Sequence, residues 1–193
     1  MAYEFELKAK LDNHEAVKDL LFRLGEYYQS YKRLDTYWIK DEKTPLIRLR
    51  RESGDNAAGT PYQSNTISFK RKEISGCMEV NHEQEFTVSN ADCFEDMLVC
   101  LGLNIANNNE KHGWAWIIPD CEDRYSPIIA EISLVAGLGW FLELEIITAT
   151  CSEETAEESR KRLYSLLELL NIPLSHIETR PYTVLLSKLT KGE

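Results

Sequence analysis

Five short segments of this chain carry like charges two residues apart, each alternating with apolar side chains, and this pattern constrains the fold more than any other feature. Acidic pairs stand at Glu4/Glu6, Glu83/Glu85 and Glu143/Glu145, and basic pairs at Arg48/Arg50 and Lys70/Lys72. In an extended strand alternate side chains share a face, so each pair sets two equal charges about 7 Å apart on one side. In residues 3–11, Glu4, Glu6, Lys8 and Lys10 fall on one parity and Phe5, Leu7, Ala9 and Leu11 on the other. The apolar rows can pack on helices. The charged rows then occupy the opposite face of the sheet, which is either open and wet or curled so that acidic and basic rows share one lumen. Three acidic strands and two basic ones favour the second arrangement, because closure brings each set opposite its counterions.

The remaining elements follow from periodicity and caps. Asp12 or Asn13 can open a helix whose Ala16, Val17, Leu20, Leu21 and Leu24 share a stripe and which Gly25 ends. Strands are expected at 27–40, 46–51, 66–72 and 79–88, with a polar loop at 52–64. Ser89 and Asp92 read as a capping box for a second helix that stops at Gly102, so the segment after Glu85 echoes the one after Glu6. An Asn-rich loop at 104–110 precedes strands at 111–118, 128–135 and 140–148. A third helix runs from Ser152, with acidic residues in its first turn, to Leu170, and Val184 to Leu186 fit a short helical cap. About eight strands with outlying helices define an α+β chain, and 193 residues suit one domain spanning 1–193.

Composition narrows the partners. A net charge of −10 argues against nucleic acid, whose binding rests on cationic side chains displacing counterions, but leaves room for a small anion where positive charge is gathered locally. No apolar run approaches membrane-spanning length, and no basic stretch precedes an apolar one at the N-terminus, so neither membrane nor export is expected. The five cysteines are odd in number and form no C-x-x-C pair, which suits reduced thiols in the cytoplasm. The sequence leaves a homodimer open.

A lumen holding both charge sets has a definite chemistry. Clustered carboxylates need counterions, for which Mg²⁺ or Mn²⁺ with oxygen ligands is the natural choice, and facing guanidinium and ammonium groups need anions such as phosphoryl oxygens. Together they describe a site for a metal–polyphosphate complex. There is no P-loop, since Gly137-Leu138-Gly139 lacks a Gly-Lys-Ser/Thr ending.

Glu4-x-Glu6-x-Lys8 resembles the signature of the CYTH superfamily, the triphosphate tunnel metalloenzymes. Asp35-Thr36-Tyr37, Leu46-Ile47-Arg48-Leu49-Arg50 and Ile67-Ser68-Phe69-Lys70 resemble its next motifs in order, and Gly137 to Glu145 and Arg180-x-Tyr182 are most like the class IV adenylyl cyclase branch. The resemblance implies a closed eight-stranded antiparallel β-barrel, a tunnel with helices packed outside. It implies metal ligands among Glu4, Glu6, Glu143 and Glu145, and triphosphate binding by Lys8, Arg48, Arg50, Lys70 and Lys111, with Glu4, Glu6 and Lys8 at the chemistry. Glu83 and Glu85 match acidic lumen positions. The implied activity is conversion of ATP to cyclic AMP and pyrophosphate. The alternatives are a triphosphatase releasing orthophosphate from thiamine triphosphate or tripolyphosphate, and a receptor without turnover.

Two positions depart from that pattern. Gly113 stands where the family usually carries an arginine, and Ser133 where it usually carries an aspartate. Glu131, two residues earlier on the same face, is expected to replace the missing carboxylate.

Overall fold

The computed structural model describes residues 3–41, 46–75, 78–120, 125–150 and 152–191, and their side chains apart from 70–83 and 188–191. The chain runs β1 (Tyr3–Lys10), α1 (His14–Leu24), β2 (Glu26–Ile39), β3 (Ile47–Asp55), β4 (Pro61–Ser75), β5 (Met78–Thr87), α2 (Ala91–Cys100), β6 (Asn104–Ile118), β7 (Ile128–Val135), β8 (Gly139–Thr148), α3 (Glu153–Leu169) and α4 (Tyr182–Lys191), with a 3-10 turn at Leu174–His176.

All eight strands join one antiparallel sheet that curls in the order β1-β5-β4-β3-β2-β6-β7-β8. Among the described residues its end strands meet only at Tyr3↔His82 and Glu4↔Asn81, whereas β1 pairs with β8 along all of Tyr3 to Lys10. The wall is therefore a half-barrel whose seam is joined at one end. Farther along the seam the C-terminal segment covers the edge of β1: Ile177 bridges Ala9, and the Glu178 N–H donates to the Lys8 carbonyl at 2.8 Å.

The outward apolar rows fix where the helices lie. Phe5, Leu7 and Ala9 of β1, Leu142 and Leu144 of β8, and Trp116 of β6 form one core with Val17 and Leu21 of α1 and Leu163, Leu166 and Leu167 of α3. Each large side chain buried there contributes about 1.5–3 kcal/mol of apolar transfer. Asn13 Oδ1 accepts from the Ala16 N–H at the start of α1, and Ser152 Oγ accepts from the Thr155 N–H at the start of α3. Asn171, in the left-handed region at φ 56°, turns the chain after α3. On the other side, α2 covers Leu49 and Ile67 of β3 and β4 and Trp38 of β2, and Arg51 pins it through Asp92 and Glu95 at 2.7–3.1 Å. No described helix is long and apolar enough to cross a membrane.

Three local expectations are corrected. Asn90, not Ser89, caps α2, its Oδ1 accepting from the Cys93 N–H. The expected loop 52–64 shrinks to a hairpin turn, where Asn56 Oδ1 accepts from the Ala58 and Thr60 N–H groups and Gly59 adopts φ 74°; β3 and β4 extend into the rest. The Asn-rich segment 104–110 is the first half of β6, held by pairing with β2, with one register shift between Tyr37 and Trp38, that overrides the low strand propensity of asparagine.

Candidate active site

The inward faces of the strands build a cavity of about 660 Å³ that opens toward the C-terminal segment and α3. Its wall is charged on several sides. β1 supplies Glu6 and Lys8, β3 supplies Arg48 and Arg50, β6 supplies Lys111 and β8 supplies Glu143. The register explains the gathering: Glu6 lies directly opposite Glu145 and Lys8 opposite Glu143 across the β1–β8 pair, so these four side chains share the inner face. Glu4 and Glu145 belong to the same rows but stand beyond the residues that line the cavity.

Most cations on this wall already have an anion. Lys111 Nζ donates to Glu143 Oε2 at 2.5 Å and lies 3.8 Å from Glu131 Oε2. Arg50 forms a two-pronged pair with Asp35 at 2.7 and 2.8 Å. Arg48 lies 3.8 Å from Glu85, whose side chain is half exposed. Lys8 Nζ donates to the Arg180 carbonyl at 2.7 Å and sits over the Tyr182 ring. Glu178 and Arg180 form a salt bridge at the mouth.

These contacts set the protonation states. Burial would raise the Asp35 carboxyl, but the Arg50 guanidinium holds it down at about 2. Burial is likewise outweighed at Glu131, where Arg33 and then Lys111 hold the carboxyl at about 2, and at Glu143, which Lys111 keeps below the usual carboxylate value. Lys8 is pushed below the ordinary lysine value by burial, which Glu143, Glu6 and Glu178 only partly offset. Burial, with Glu143 and Glu6 nearby, drives the Tyr182 hydroxyl far upward, so it stays protonated.

Beneath the cavity lies a cluster of which the sequence pattern marks only Glu131. Arg33 of β2 makes a two-pronged pair with Glu131 at 2.6 and 2.9 Å and binds Glu52 through its Nε. The Tyr31 hydroxyl donates to Glu131 at 3.1 Å and the Tyr62 hydroxyl to Glu52 at 2.8 Å. Both parities of β2 carry polar or charged residues, and Leu34 faces out while Arg33 and Asp35 are buried, so alternation alone points the wrong way.

Glu131, expected to replace the missing carboxylate, is held by Arg33 below the residues that line the cavity. Ser133 is fully buried, with no partner for its hydroxyl among the described residues. Gly113 has a steric reason: a Cβ there would lie 1.9 Å from the Ile132 carbonyl oxygen and 2.8 Å from Ser133 Cα. Gly113→Ala is therefore expected to cost about 2 kcal/mol or more in urea-unfolding measurements, since the β7 backbone must move. Among the other expected site residues, Lys70 and Glu83 are register partners on β4 and β5 whose side chains lie outside the described residues.

The donors fit a hard divalent cation in kind. Glu6 and Glu145 present carboxylate oxygens from directly opposed positions, about 5 Å apart at Cβ. Among the described residues no three His, Cys, Asp or Glu side chains gather into a metal-holding group. One or two carboxylates, completed by water and phosphoryl oxygens, match the way Mg²⁺ binds at phosphate sites.

No protein-family model matches the sequence, and no curated protein does. Solved structures do share the fold. A candidate adenylate cyclase of Vibrio parahaemolyticus is 19% identical with a TM-score of 0.75, covering 96% of this chain and 98% of its own. A candidate adenylyl cyclase of Hippeastrum with a dominant triphosphatase activity is 14% identical with a TM-score of 0.58, covering 93% and 91%. The Mediator head module of Schizosaccharomyces pombe is 11% identical with a TM-score of 0.58, covering 86% and 94%.

Proposed function

We propose that this chain is a metal-dependent enzyme of the triphosphate tunnel type that binds a nucleoside triphosphate in the lumen, and that it converts ATP to cyclic AMP and pyrophosphate in the manner of class IV adenylyl cyclases. One observation carries the proposal: Lys8, Arg48, Arg50 and Lys111, from three different strands, converge with Glu6 and Glu143 on one cavity of about 660 Å³, a volume suited to a nucleotide. The shared fold of the Vibrio and Hippeastrum proteins supports it, while the same fold in the Mediator head module leaves the activity to be argued from the site. In this reading the seam between β1 and β5 is completed into a tunnel wall around the ligand.

Glu6 and Glu145 would hold Mg²⁺ or Mn²⁺, flanked by Glu4 and Glu143 on the same rows. When bound, the ion supplies Lewis-acid charge against the phosphoryl oxygens. Arg48 and Lys8 would hold the middle of a phosphoryl chain, and Lys111, paired with Glu143, would hold its end. Held in this way, the chain turns its α-phosphorus toward the mouth, where the ribose 3′-hydroxyl can attack in line, displacing pyrophosphate on the inner side, which then leaves through the mouth. The apolar part of the wall, Leu163, Tyr164 and Pro181, suits the nucleoside. A second reading, hydrolysis with water attacking the terminal phosphorus, uses the same residues and is favoured by the carboxylate of Glu143 at the inner end.

Titration calorimetry tests the site itself. ATP and tripolyphosphate should bind in the presence of Mg²⁺, with affinity falling at least about tenfold in Arg48→Ala. Absence of binding by either ligand would remove the proposal.

A further inference from the structure

We infer that the lumen is blind and takes its ligand end-on, so that a free terminal phosphate is required and a phosphoryl chain blocked at both ends is refused. This rests on the reading of the cavity as a triphosphate site and adds to it which triphosphates can enter.

The inference comes from the order of residues along the inner face of β2. Tyr37, Asp35, Arg33 and Tyr31 follow one another on one parity, and their register partners step inward with them. Tyr37 lies beside Arg48, Asp35 beside Arg50 and Asn109, and Arg33 beside Glu52 and Lys111. Tyr37, Asp35, Arg48, Arg50, Asn109 and Lys111 line the cavity, but Arg33, Glu52, Glu131 and Tyr31 do not. The open space therefore ends, among the described residues, one step below Asp35.

What fills the lumen below that step is closely bonded. The Arg33, Glu52 and Glu131 side chains are only 8, 12 and 16% exposed, and Tyr31 is 3% exposed. Arg33 uses its guanidinium on both acids and stacks on the Tyr31 ring at 3.7 Å, while the Tyr31 and Tyr62 hydroxyls donate to Glu131 and Glu52. Breaking such a cluster to pass a polyanion strands buried charge, and its acidic members repel phosphate besides.

The layer just above this floor is built to receive an end. Lys111 Nζ and the Arg50 guanidinium face the cavity there, and Asn109, 3% exposed, has an amide oxygen without a partner among the described residues. Turned so that its Nδ2 faces the cavity, that amide would donate a hydrogen bond at the depth a terminal phosphate would reach. An alkyl or nucleosidyl ester on that phosphate would have to occupy the space that Arg33 and Tyr31 already fill.

The test is a binding comparison by calorimetry with Mg²⁺ at mildly alkaline pH, where ADP and the γ-methyl ester of ATP carry the same charge. Tripolyphosphate and ATP serve as the reference ligands. ADP should bind at least about tenfold more tightly than the ester, and diadenosine tetraphosphate at least about 100-fold more weakly than ATP. If tripolyphosphate and ATP bind but the ester matches ADP, or diadenosine tetraphosphate matches ATP, the lumen is not blind and the inference falls alone. If neither reference ligand binds, the triphosphate reading falls with it.

Discussion

Arg33→Met is expected to lower the unfolding free energy by about 3–5 kcal/mol at neutral pH, because it leaves two buried carboxylates without their shared cation. Glu131 loses its two-pronged partner and Glu52 loses Nε, while the tyrosine hydroxyls and the more distant Lys111 supply only part of what is removed. The pH dependence carries the signature. In the parent protein Glu131 has a folded pKa of about 2, below its unfolded value, so its stabilisation is complete above the unfolded carboxylate range and is lost as pH falls toward 2. Without Arg33, burial is opposed only by Lys111 and Arg50, and the folded pKa rises. The variant then loses less stability than the parent as the pH drops. Urea unfolding across that range reads this directly. A second substitution, Glu131→Leu in the Arg33→Met background, should recover part of the loss, since an apolar replacement avoids the stranded charge. A loss that stayed constant with pH and was not relieved by Glu131→Leu would mean that Arg33 acts through packing alone.

Glu6→Gln is expected to lower kcat by at least about 100-fold while leaving the thermal midpoint nearly unchanged. Glu6 lies on the cavity wall and its side chain is exposed, so the amide fits the same space. What changes is a full negative charge opposite Glu145 and beside Lys8. Added Mn²⁺ at high concentration should restore part of the rate if the lost charge served a cation. Full activity in Glu6→Gln would remove the carboxylate pair from the mechanism.

The parts of the molecule visible in the sequence are those in which one strand face is apolar and the other charged. β1 and β8 meet that condition, so their parity, and with it the shared face of Glu6, Lys8, Glu143 and Glu145, is legible from alternation alone. β2 does not meet it. Its buried Arg33 and Asp35 and exposed Leu34 invert the usual preference, because their partners, Glu131 and Arg50, come from strands far away in the chain. The asparagines of β6 are hidden for a related reason: only pairing with β2 makes that segment a strand. The residue type at Gly113 was visible but its cause was not, since the close approach of the β7 backbone exists only in the folded sheet.

Product analysis tests the central claim most directly. The purified protein would be incubated with Mg²⁺ or Mn²⁺ and ATP, thiamine triphosphate or tripolyphosphate beside the Glu6→Gln variant, and the products separated by ion exchange. Cyclic AMP and pyrophosphate from ATP, dependent on metal and absent in the variant, are the predicted result. Orthophosphate as the main product would give the site to hydrolysis instead. No product from any of the three, with either metal, would contradict the claim that this lumen is an active site.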